Sequence, residues 1–91
     1  MNPEGLLRRV EDLPFQKLGE QTLVIVSGTR EVHRLNETAG RIWELLERPC
    51  TSVDLLRVLT EEYDVDSPEA TRELESVLEE MSRKGMIEKV Q

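Results

Sequence analysis

The chain has 91 residues, 37% of them apolar, with 19 acidic and 12 basic side chains and a net charge of −7. That length supports one small domain around a single core, with little room for a deep substrate cleft as well. The negative charge removes the counterion-release driving force on which nucleic-acid binders rely, and no apolar run approaches the roughly 20 residues needed to cross a bilayer.

Phe15, Trp43 and Tyr63 are the only aromatic residues, so Leu, Val and Ile must build the core. Residues 1–35 carry five basic and five acidic side chains, whereas residues 36–91 carry seven and fourteen. The excess negative charge therefore belongs to the second part of the chain. The N-terminus lacks the basic and apolar regions of a signal peptide, and the single Cys50 cannot form an intrachain disulfide. A cytoplasmic protein is expected, as one domain over residues 1–91 with residues 1–12 flexible.

Leu13–Leu18 alternates in part, and Pro14 places it at the start of a strand or at a sheet edge. Gln21–Val26 contains the continuous run Leu23-Val24-Ile25-Val26, which suits a strand covered on both faces or central in a sheet. Ser27-Gly28-Thr29 then reads as a hairpin turn. Glu31–Leu35 is a third short strand, polar enough to lie at an edge.

Helical patterning takes over at Asn36, whose side chain can accept an orphan N–H of the first turn. Ala39, Ile42, Trp43 and Leu46 follow at i, i+3, i+4 and i+7 and line one face of a helix that stops before Pro49. Thr51-Ser52-Val53-Asp54 has capping-box spacing with Asp in place of Glu or Gln. The helix behind it turns Leu55, Leu56, Leu59 and Tyr63 inward. A third helix begins at Ser67-Pro68-Glu69, with Ser67 as N-cap and Pro68 in the first helical position. Ala70, Leu74, Val77, Leu78 and Met81 form its inner stripe, Gly85 suits its C′ position, and Met86–Val90 returns to the core.

Three strands followed by three helices define a segregated α+β domain. The expected architecture is winged-helix-like, a three-stranded antiparallel sheet followed by three helices. No residue set looks catalytic. His33 has neither a nucleophile nor an orienting partner in view, and contact with a bound peptide suits it better. The following helix N-terminus could lower the pKa of Cys50 somewhat, but Cys50 reads as a structural or incidental thiol. With one Cys and one His, the chain cannot assemble a Cys/His zinc site. The acidic residues between Asp64 and Glu80 do not match a calcium loop and read as a solvated helix face. A winged-helix DNA-binding regulator is the alternative reading. It would bring Glu69, Glu73, Glu75, Glu79 and Glu80 toward phosphates against only Arg72, Arg83 and Lys84.

The segments Leu35-Asn36-Glu37-Thr38-Ala39, Ile42-Trp43-Glu44-Leu45-Leu46, the Thr51-led helix and Lys84-Gly85-Met86-Ile87, in that order, resemble the PqqD family. The resemblance covers about residues 15–90. That family also includes the leader-recognition domains found beside lasso-peptide, lanthipeptide and radical-SAM peptide-modifying enzymes. It implies a non-catalytic protein without a cofactor. Such a protein binds the leader of a ribosomally made precursor as an added strand against the third strand, beside the third helix. It then presents the peptide to a separate modifying enzyme such as a radical-SAM enzyme, protease or cyclase. The chain departs from the family pattern at Glu47-Arg48-Pro49, where many members have Asp-Gly, and at Glu73, where Asp is frequent.

The residues expected to act are Glu31, Val32, His33, Arg34 and Leu35 on the strand, with Arg72, Glu75, Glu79 and Arg83 on the helix side. An exposed edge strand can also pair with a second copy, so a homodimer is a further expectation. Neither nucleic acid nor a membrane is expected as a partner.

Overall fold

The alternation of buried and exposed side chains in Gln21–Val26 shows how this small chain builds its main sheet. Thr22, Val24 and Val26 are buried on one side, while Ile25 is 40% exposed on the other. In the computed structural model, which describes residues 5–90, this segment is β3. It lies between β2 (Phe15–Leu18) and β4 (Glu31–Leu35) in an antiparallel sheet of order β2-β3-β4. The run is thus central, as expected, but covered on one face only. The turn at 27–30 closes with Arg30 N–H donating to Val26 O at 2.8 Å, and it is Arg30, not Gly28, that takes a positive φ of 60°.

Three helices follow: α1 (Glu37–Leu45), α2 (Ser52–Glu62) and α3 (Ser67–Arg83). The Asn36 carboxamide accepts from the Ala39 N–H at 2.9 Å, and Ala39, Ile42, Trp43 and Leu46 are all buried. The capping box of α2 is complete: the Asp54 N–H donates to the Thr51 hydroxyl oxygen and the Thr51 N–H to the Asp54 carboxylate, both at 3.1 Å. At α3 the cap shifts by one residue. Asp66 accepts from the Glu69 N–H at 3.1 Å, and Ser67 is already helical. A carboxylate is a strong acceptor at a positive helix N-terminus, which accounts for the shift. The helix ends in a Schellman motif. Met86 N–H donates to Met81 O at 2.9 Å and Gly85 N–H to Ser82 O at 3.2 Å, with Gly85 at φ 76°.

The fold is α+β, and it holds a second antiparallel sheet that the sequence pattern did not reveal. Its order is β5-β1-β6, from β1 (Leu6–Arg9), the short β5 (Cys50–Thr51) and β6 (Ile87–Val90). Of the stretch 1–12 expected to be flexible, residues 1–4 lie outside the described residues, and Leu6–Arg9 is the central strand of that sheet. β1 is held by pairing from both sides: Leu7 stands opposite Cys50 and opposite Lys89. Strand pairing between the two ends of a chain leaves no local periodicity to read, since four residues are too few.

The inner faces of the sheets and helices share one core. Trp43, Ile42, Leu46, Leu55, Met81, Met86 and Val24 are its largest fully buried side chains. Arg9 bridges the two sheets. Its guanidinium lies 4.8 Å from the Phe15 ring centre and 4.5 Å from that of Trp43, and its Nε–H donates to Trp43 O at 2.8 Å.

Candidate functional site

β4 is an edge strand, and its register identifies which backbone groups are free. In an antiparallel strand the N–H and C=O of one residue point the same way, and successive residues alternate. Ile25 N–H donates to Pro14 O, on the β2 side of β3. Thr22, Val24 and Val26 therefore turn their backbone groups toward β4, where they meet Leu35, His33 and Glu31. This leaves the N–H and C=O of Val32 and Arg34 directed outward from the sheet edge. The side chains follow the complementary pattern. Glu31, His33 and Leu35 share the inner face with the buried β3 residues, while Val32 and Arg34 stand on the outer face.

Beside this edge lies a groove of about 130 Å³ between β4 and α3, lined by Arg34, Leu35, Asn36, Ala39, Val77, Glu80, Met81, Lys84 and Met86. Its floor is apolar, with Leu35, Ala39, Met81 and Met86 buried and Val77 half-buried. Its lip is charged. Lys84 Nζ donates to Glu80 Oε1 at 2.7 Å, an i,i+4 pair that holds the Glu80 carboxyl below its ordinary value, with smaller contributions from Arg83 and His33. His33 is half-buried, and its Nε2 has no hydrogen-bond partner among the described residues.

The helix residues expected from the sequence lie elsewhere. Glu75, Glu79 and Arg83 line a larger cavity of about 490 Å³, together with Leu7, Leu78, Ser82 and Ile87–Lys89. Arg72 is exposed and lines neither cavity. The core stripe of Ala70, Leu74, Leu78 and Met81 runs between the two flanks of α3. One flank looks toward β6 and the other toward β4. The β4 flank carries Val77, Glu80 and Lys84, none of them among the expected site residues. Their signal was the spacing: Val77 adjoins the core stripe, and Glu80 and Lys84 are four residues apart. The expected strand residues lie together on β4, with Leu35 buried beneath the groove and Glu31 beside the hairpin turn.

Cys50 is not activated. Burial pushes its thiol up, and the Asp54 charge adds to this. Both act in the direction of a structural thiol, as the sequence reading has it. Among the described residues no three His, Cys, Asp or Glu side chains could hold a metal ion, and no helix is long and apolar enough to cross a membrane.

An α+β domain whose open sheet edge adjoins an apolar groove offers the two features that strand addition by an extended peptide uses. The family model described as "Coenzyme PQQ synthesis protein D (PqqD)" matches residues 17–87, and the chain belongs to that family. Among solved structures it is similar to "TbiB1 in Complex with the TbiA(beta) Leader Peptide", with a TM-score of 0.82 and 22% identity over 89% of this chain and 94% of that one. It is also similar to "Lasso peptide synthetase B1 complexed with the leader peptide", with a TM-score of 0.78 and 22% identity over 90% and 96% of the two chains. At that identity the likeness establishes the fold. No curated protein matches the sequence.

Proposed function

We propose that this protein binds the leader region of a ribosomally synthesised precursor peptide by strand addition to β4. It then presents the peptide to a separate modifying enzyme such as a radical-SAM enzyme, protease or cyclase, without doing chemistry itself. The observation that carries this reading is the pairing-ready backbone of Val32 and Arg34 beside the apolar groove of Val77, Met81 and Met86. Membership in the PqqD family supports it, as do the leader peptides named in both similar structures.

Magnitudes explain why both features are needed. Four backbone hydrogen bonds contribute about 2–6 kcal/mol, at about 0.5–1.5 kcal/mol each. Association and ordering cost roughly 4–15 kcal/mol. The bonds alone do not hold a peptide, and a leader must also bury an apolar side chain in the groove, at about 1.5–3 kcal/mol. Alternate side chains of an added strand face inward, so a residue opposite His33 turns its side chain toward the groove between β4 and α3. The winged-helix regulator reading has no support: α3 exposes Glu69, Glu73, Glu75, Glu79 and Glu80, the wrong charge for phosphate contacts.

The test is fluorescence anisotropy with the labelled leader of the precursor encoded beside this protein, N-methylated at single alternating positions. Strand addition predicts an alternating response. Methylation of amides that face β4 weakens binding by about tenfold or more, while methylation of their neighbours changes it by less than about threefold. An equal effect at every position contradicts strand addition.

A further inference from the structure

The solvent face of the β2-β3-β4 sheet is apolar across all three strands. Leu18 of β2 and Val32 of β4 are 49% and 60% exposed, Ile25 of β3 is nearly as open, and half-buried Leu23 lies between them. Ile25 and Val32 are direct cross-strand partners, and Leu23 stands beside Gln16 on one side and Arg34 on the other. Gln21, directly opposite Leu18, and Gln16 border these apolar side chains, which form a strip of the kind that marks interaction sites. The groove opens on the opposite face toward α3 and includes none of these four apolar side chains; Arg34 borders both. In a chain of net charge −7, Arg34 is the one ionisable side chain at the strand positions of this face.

Resting on the function proposed above, we infer that the strip is the docking surface for the peptide-modifying enzyme. Its counterpart is an apolar protein surface with a carboxylate to meet Arg34. Two features select this occupant. The first is continuity with the leader-binding edge. Val32 and Arg34 offer their backbones to the leader while their side chains stand on the strip, so leader side chains on the outer face extend it. An enzyme seated there touches carrier and leader together, and it binds the loaded protein more tightly than the empty one. The second is the charge. Two copies of this chain packed strip to strip would bury an Arg34 from each side with no carboxylate on the face to pair it, an arrangement that is strongly unfavourable.

Ile25→Glu and Leu18→Glu each place a carboxylate on the strip, away from the leader-binding edge and groove. Binding of the leader is measured by anisotropy, and binding of the modifying enzyme encoded beside this protein by biolayer interferometry with and without leader. Wild-type protein is expected to bind the enzyme more tightly with leader present. Both variants should keep leader affinity within about twofold and lose about tenfold or more in enzyme affinity. Enzyme affinity unchanged in both variants overturns the proposal. So does a wild-type protein that binds leader but no enzyme, or one that sediments as a dimer dispersed by Ile25→Glu. Failure of the wild-type protein to bind leader would instead overturn the function on which the inference rests.

Discussion

Gly40 of α1 faces Thr22 of β3 so closely that a Cβ on Gly40 would stand 2.9 Å from the Thr22 Oγ1 and 3.6 Å from its Cβ. Thr22 is itself buried, so a Cβ at Gly40 obliges its short, β-branched side chain to rotate or shift. Gly40 thereby sets the distance between helix and sheet, and with it the position of the helix that β4 leads into.

Gly40→Ala should destabilise the protein despite the better helix propensity of alanine. Propensity favours Ala by about 1 kcal/mol, while overpacking in a close contact costs about 1–3 kcal/mol. A net loss of up to about 2 kcal/mol lowers Tm by up to roughly 15 °C in a domain of this size. Adding Thr22→Ala should recover part of the loss, whereas Thr22→Ser, which keeps the oxygen, should not. Thermal melts of the three variants check this.

On α3 the two flanks should separate cleanly. Val77→Asp puts a carboxylate into the apolar groove and should weaken leader binding by about tenfold or more, equivalent to about 1.4 kcal/mol. Glu79→Ala and Arg83→Ala lie on the cavity beside β6 and should leave leader affinity within about twofold. Anisotropy with all three variants tests the assignment; a loss at Glu79 that matched the loss at Val77 would move the site.

Arg9 should be a stability residue. Its guanidinium lies against Phe15 and Trp43 and donates to the Trp43 carbonyl. Cation–π contact contributes about 0.5–2 kcal/mol and a charged hydrogen bond about 1.5–3 kcal/mol. Arg9→Ala should therefore cost about 2–4 kcal/mol in urea unfolding. Arg9→Lys should restore only part, since an ammonium has no planar face to lay on a ring.

Acid should loosen the start of α2. The Thr51 backbone N–H, and then its hydroxyl, hold the Asp54 carboxyl below its ordinary value, and Arg57 adds to this. A carboxylate lowered in the folded state stabilises fully above its unfolded value. The contribution is lost as pH falls through the lowered value. Wild-type stability should thus decline below about pH 4 more steeply than that of Asp54→Asn. Equal slopes in denaturant titrations at several pH values would contradict this role.

What the sequence made legible was local. Asn36, the Thr51–Asp54 box and Gly85 each announce a helix end through chemistry confined to a few residues. The edge position of β4 follows from its polar side chains. The second sheet was not legible, because β1 and β6 meet from opposite ends of the chain in only four residues each. Which flank of α3 borders the groove was not legible for a related reason. Spacing placed Glu75, Glu79 and Arg83 near one another on the outer part of α3, but which flank meets β4 depends on how the stripe of Ala70, Leu74, Leu78 and Met81 docks. That docking is a tertiary fact.

The most direct measurement is a ¹H–¹⁵N NMR titration of the protein with its leader peptide. The account predicts shifts at Glu31–Leu35 and at Val77, Glu80 and Lys84, while Glu75, Glu79 and Arg83 stay still. Shifts confined to the β6 side of α3, or none at all, would contradict strand addition at β4.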